Sequence, residues 1–205
     1  MCTTSSLSFA QELVKETELA ALDAEIQLVM DKYKIPSVTF AIMSQVQPLH
    51  LRAYGMTNKD ANIKASITTQ YRIASISKMI VSIAVMQLVE SGELSLDDKI
   101  ADILPDLTFS NRWSKTHPLQ LAHILESTTG WDGISLKEFA YDNNPPLDLK
   151  TSLAINPNSR ESRWPPGTRH AYNNSAATVA ALIVENITGK SFFSYAEQHI
   201  FRPLG

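Results

Sequence analysis

The chain has a single cysteine among 205 residues, Cys2, so no intramolecular disulfide can hold it together. It lacks any block of lysine and arginine and carries a formal net charge of −3, which sets nucleic-acid binding aside. Its apolar runs are broken well short of bilayer length, so no transmembrane helix is expected. The start has no basic segment followed by an apolar one, and no signal peptide is read there. No His/Cys/Asp cluster suggests a metal, and no cofactor is expected. Neither an internal repeat nor a low-complexity tract is visible. The remaining composition is ordinary for a globular chain, 44% hydrophobic and 19% charged. At this length one domain with a sizeable core is expected.

Cys2 followed by Thr3, Thr4, Ser5 and Ser6 resembles the start of a processed bacterial lipoprotein, which would put the protein at the cell envelope or periplasm. The plainer reading is an untethered terminus, and a lone cysteine fits the cytoplasm equally well. Residues 1–8 are expected as a disordered start and 9–205 as one domain.

Leu13, Leu19, Leu22, Ile26, Val29, Met30 and Tyr33 recur at helical steps, which predicts a helix over 9–33 with a break near Thr17. Pro36 stops it, because proline disfavours helical geometry in the residue before it. Residues 37–44 and 49–56 read as strands of an antiparallel hairpin, and 58–69 as a polar loop. A helix over 75–90 is apolar around most of its circumference, so burial on nearly all sides is expected, with Gly92 as its cap. Shorter helices are expected over 96–104 and 119–125. The stretch 132–167, rich in Pro, Asn and Ser, predicts a long surface excursion. Helix returns over 175–187, stopped by Gly189, and over 192–201.

Chemistry enters at Ser75-Ile76-Ser77-Lys78. Residues three apart share a helix face, so the Lys78 amine can reach the Ser75 hydroxyl. Burial favours neutral lysine, which could take the seryl proton and release a nucleophile. The helix N-terminus adds a positive dipole end beside a developing oxyanion. The plainer alternative has Ser75 capping the helix and Lys78 snorkelling from its first turn. A second element is Tyr172-Asn173-Asn174. A phenol near lysine can shuttle a proton, and the Asn174 amide can bond a substrate carbonyl and the lysine together. Here the alternative is a packed aromatic followed by Asn174 as N-cap. Tyr141-Asp142-Asn143 has the same spacing, but no helix follows it before Pro145-Pro146, and it is set aside.

Several segments in order carry a resemblance. Residues 71–88 and 92–105 resemble the nucleophile helix and following segment of the serine β-lactamase and penicillin-binding-protein family, on its class C side. Leu121 to Gly130, Pro165-Pro-Gly-Thr168, Tyr172-Asn-Asn174 and 187–205 resemble that family's later segments, in the same order. The resemblance covers roughly Ile35 to Gly205 and implies an α/β (α+β) β-lactamase-like fold, a helical region with an antiparallel sheet. It implies Ser75 as nucleophile, Lys78 as base or proton relay, Tyr172 as general acid/base and Asn174 as a substrate-orienting amide, with no metal. It further implies an acyl-enzyme on Ser75 and a small-molecule or peptide substrate: a β-lactam, a D-amino-acid peptide or a small ester. His123, His170 and His199 are then structural or exposed, and Ser77 and Ser127 at most supporting. The excursion with Trp131, Tyr141 and Trp164 is the expected cleft wall.

Family members carry further strands after Pro-Leu-Gly, one of them bearing a Lys-Thr-Gly or His-x-Gly triplet, and no Lys-Thr-Gly occurs here. The expectation is a fragment lacking those strands, weakly active or inactive alone. Completion by a partner or by domain swapping is the alternative. A non-catalytic homologue serving as a binding or sensor module is the competing function.

Overall fold

A computed structural model describes residues 16–45, 47–133 and 147–205. The lipoprotein-like start, the predicted helical residues 9–15 and the Tyr141 triplet lie outside the described residues. The chain divides into two compact units between Arg72 and Ile73.

In the first unit, helix α1 (Glu16–Tyr33) precedes strands β1 (Ser37–Met43), β2 (Pro48–Asn58) and β3 (Ile63–Lys64). The sheet order is β1-β2-β3, antiparallel, with Ser37 opposite Gly55 and Ala41 opposite Leu51. β3 corrects the loop expected over 58–69. Asn58 Oδ1 accepts the Ala61 amide (2.9 Å) and Asn62 adopts φ +54°, so the chain reverses and Lys64 pairs with Met56. Two residues are too few to show a period-two pattern.

Strand alternation puts His50, Arg52 and Tyr54 on one face of β2. There Asp23 Oδ1 of α1 meets His50 Nε2 (2.8 Å) and accepts the Tyr54 hydroxyl (2.5 Å). Arg52 Nε stands 4.0 Å from the other oxygen. The Tyr54 bond, then the His50 bond, hold the Asp23 carboxyl below its ordinary value. Burial first, and Asp23 second, push the Tyr54 phenol up to about 12.

The second unit is helical. It contains α2 (Ser77–Glu90), α3 (Ile100–Ile103), α4 (Leu121–Leu125), α5 (Leu149–Ala154), α6 (Ser175–Thr188) and α7 (Phe192–Ala196). α7 continues as a π-helical turn, Glu197–Phe201, into α8 (Arg202–Leu204). α6 is the hub, packed against α2, α4, α5 and α7. Its Val179, Ala180, Ile183 and Val184 join Val81, Ala84, Val85 and Leu88 of α2 in one core. Gly92 at φ +79° ends α2. Its amide bonds Val89 O and that of Glu93 bonds Leu88 O, a Schellman closure.

α2 is not buried on nearly all sides. Ile76 just before it and Met79, Ile83 and Met86 along it stay exposed (58, 56, 39 and 44%). Apolar composition sets what a helix is able to bury; neighbours decide what is covered, and here α6 and α7 pack against α2. The surface excursion expected over 132–167 is corrected too. It contains α5, capped by Asp148 accepting the Thr151 amide (2.8 Å), and buries Leu153, Ser159, Arg160 and Ser162. Trp131 is fully buried and stacked on Phe109 (centroids 5.7 Å), so it walls no cleft. The helix expected over 96–104 shrinks to α3. No described helix is long and apolar enough to cross a membrane.

Candidate active site

Ala74–Ile76 forms a 3₁₀ turn leading into α2, and Ala74 takes φ +46°. A positive φ in a residue bearing a Cβ is strained by about 1–3 kcal/mol, and such strain gathers at functional sites. It immediately precedes Ser75, which is exposed. One turn on, Lys78 Nζ lies 3.4 Å from Ser75 Oγ and donates to Asn174 Oδ1 at 2.6 Å. Tyr172 Oη is 2.6 Å from Ser75 Oγ, and Lys78 Nζ sits 4.7 Å from the Tyr172 ring centroid. Four side chains from two segments, with Ser75 and Tyr172 97 positions apart, therefore converge, all within the second unit. Lys78 is half-buried, which corrects the enclosure expected from its apolar helix. Hydrogen bonding from Lys78, then from Ser75, lowers the Tyr172 phenol below its ordinary value.

The turn after α4 holds the Tyr172 segment. Ser127 O accepts the Ala171 amide (2.8 Å), Thr128 O accepts that of Gly167 (2.9 Å), and Gly130 O that of Arg163 (3.1 Å). Asn173, 1% exposed, donates from Nδ2 to Thr129 Oγ1 (3.3 Å) and accepts the Ala176 amide at Oδ1 (2.9 Å). Asn173 thus caps α6, and the Asn174 side chain faces Lys78 instead.

The sequence profile of the Beta-lactamase family matches residues 22–205. The chain belongs to the Beta-lactamase family. Family membership makes it a relative of serine hydrolases. Protein flp of Staphylococcus aureus (strain MW2) is 27% identical over 184 residues, covering 89% of this chain and 36% of that protein. The octameric penicillin-binding protein homologue from Pyrococcus abyssi superposes with a TM-score of 0.79 at 25% identity, over 92% of this chain and 43% of that one. D-amino acid amidase from Ochrobactrum anthropi SV3 shares the fold, with a TM-score of 0.71 at 20% identity, over 85% of this chain and 46% of that one. This member spans less than half the length of each of these three proteins.

In this member of the family the three singled-out histidines have other surroundings. His123 Nδ1 accepts the Gln120 amide (3.1 Å), and burial lowers its pKa. A Cβ on Gly167, at φ +83°, would stand 2.8 Å from His123 Nε2, so glycine lets the two segments close. His199 stacks on Tyr195 (centroids 4.4 Å), and His170 is exposed. Trp164 is half-buried beneath the guanidinium groups of Arg163 and Arg169, 4.9 and 5.9 Å from its ring centroid. Sequence reading missed Asn173 and Thr129. Two adjacent asparagines before a helix signal a cap, but the spacing alone does not say which one turns inward. Among the described residues no three His, Cys, Asp or Glu side chains gather as metal ligands.

Proposed function

We propose that the chain carries the acyl-transfer site of a serine hydrolase. The observation that supports it is a hydroxyl, Ser75 Oγ, within reach of both the Tyr172 phenol (2.6 Å) and the Lys78 amine (3.4 Å). Lys78 and Tyr172 together take the seryl proton, and Ser75 Oγ attacks the substrate carbonyl to form the acyl-enzyme ester. Tyr172 returns the proton to the leaving group, which departs as the carbonyl re-forms. The same pair then activates a water that hydrolyses the ester and restores the Ser75 hydroxyl. Asn174 fixes the lysine through Oδ1 and leaves its amide N–H₂ to orient the substrate. The α2 N-terminus favours the negative charge that develops at the carbonyl oxygen.

The substrate classes that suit this chemistry are β-lactams, D-amino-acid peptides and small esters. The D-amino acid amidase and penicillin-binding-protein likenesses support that range. Intact-mass analysis after exposure to a fluorophosphonate, and separately to a penicillin, tests the reading. One adduct on Ser75, absent in Ser75→Ala and strongly reduced in Lys78→Ala, is expected. Penicillin bound equally well by the parent and Ser75→Ala, with no adduct from either reagent, would make the chain a binding module instead.

A further inference from the structure

Beside Lys78 the packing of α2, α4 and α6 leaves a cavity of about 40 Å³, bordered by Lys78, Ser82, Ser127 and Asn173 and by apolar neighbours such as Val81 and Ala180. A cavity of roughly 10–15 Å³ suffices for one water, provided two to four polar groups meet it. Ser82 lies one turn beyond Lys78 on the same face of α2. Ser127 lies two residues past the end of α4 and is held at φ +57°. Asparagine, aspartate or glycine is the ordinary occupant of that conformation, and a serine there keeps a hydroxyl where strain would favour losing it. Neither serine hydroxyl has a hydrogen-bond partner among the described residues. Once protonated, an amine has three donors, and Ser75 Oγ and Asn174 Oδ1 stand where they can take two of those of Lys78.

We propose that this cavity seats a water shared by Lys78, Ser82 and Ser127, and that the two serines are positioning residues for the lysine. For its catalytic consequence the inference rests on the acyl-enzyme reading above; for the water itself it does not. Asn174 holds the amine from one side and the hydrated cavity from another, so the lysine keeps one rotamer as protons come and go. When Ser75 gives up its proton to Lys78, the water accepts from the new ammonium, and its own hydrogens turn to the serine oxygens. When the proton moves on, the water donates to the neutral amine. No proton is gained or lost by the water across the cycle. Tyr172 is the titratable group that meets Lys78, and the α4 and α6 residues bordering the cavity carry none.

Two measurements decide it. By NMR, water-to-protein NOEs are expected at Val81 and Ala180 in the parent and lost in Ser82→Val, which adds carbon to the cavity. A parent without them has a dry cavity, and the proposal falls whether or not Ser75 reacts. The second measurement is the rate of Ser75 labelling by a fluorophosphonate between pH 5 and 10. Ser82→Val and Ser127→Gly are expected to label on the order of tenfold more slowly at pH 7 with a displaced acid limb. Ser82→Thr, the isostere of valine that keeps the hydroxyl, is expected to restore the parental limb. Melting temperatures identify any variant slowed by unfolding, and glycine at 127 relieves strain rather than adding it. Superimposable profiles would overturn the positioning role. A parent that never labels would sink the acyl-enzyme reading and leave the NOEs to judge the water.

Discussion

Removing one oxygen from Tyr172 separates its hydroxyl contact from its ring contact. Tyr172→Phe keeps a ring near Lys78 but removes the group 2.6 Å from Ser75 Oγ. Fluorophosphonate labelling of Ser75 is expected to fall by about a hundredfold or more with the melting temperature held, as for loss of a proton-transferring group. At Ala74, φ +46° admits alanine at a cost and a β-branched side chain far less readily. Ala74→Val is expected to destabilise by about 1–3 kcal/mol in urea titration, with Ala74→Gly near neutral. Asn173 is fully buried and satisfies both the α6 cap and Thr129. Asn173→Ala is expected to cost about 2 kcal/mol, because the Ala176 amide loses its acceptor and Thr129 loses a partner.

Among the elements, α2 offers an internal comparison. Val85 is fully buried and Met79 is 56% exposed on the same helix. Val85→Ala is expected to cost about 2 kcal/mol and Met79→Ala within about 0.5 kcal/mol, read from denaturant midpoints. The contact of α1 with β2 depends on pH in both directions. The native Asp23 carboxyl lies below its unfolded value of 3.8, so its stabilisation is present above that value and lost as pH falls through the native one. The native Tyr54 phenol is raised from 10.0 to about 12, so its stabilisation is full below 10 and lost as pH rises through 12. NOEs between α1 and β2 are expected to weaken at both extremes, and Tyr54→Phe is expected to flatten the alkaline limb.

How far sequence foresaw these elements depended on signal length. The hairpin of β1 and β2, the long helices and their glycine stops stood out because their periodicities run over seven residues or more. β3 and the α3 boundaries did not, being too short for a period. The burial of Ser159, Arg160 and Ser162 ran against composition, since polar residues read as surface until their hydrogen-bond partners are known. Ser75 and Lys78 stood out because three residues on a helix is a distance. That Tyr172 and Asn174 meet them depends on α6 packing against α2, which spacing does not encode.

Across the whole molecule, apolar burial is divided unequally. The core cluster runs from Val81 to Ile200, whereas Met30 is the one buried hydrophobic residue among those described before Ile73. A small three-stranded sheet with one helix and so little buried apolar surface has little to hold it against local opening. Hydrogen exchange followed by mass spectrometry is expected to show β1 to β3 exchanging well before α2 and α6. Equal protection of the two units would contradict this.

The 97-residue interval between Ser75 and Tyr172 has a kinetic corollary. On the proposed reading of Ser75 as a nucleophile completed by Tyr172, it is silent in the unfolded chain and in any intermediate where α6 has yet to dock on α2. A covalent reagent added at intervals after dilution from denaturant would thus act as a clock for that docking. If adduct formation trails the recovery of helical circular dichroism, the delay measures the long-range closure itself, the slow and topology-limited part of folding.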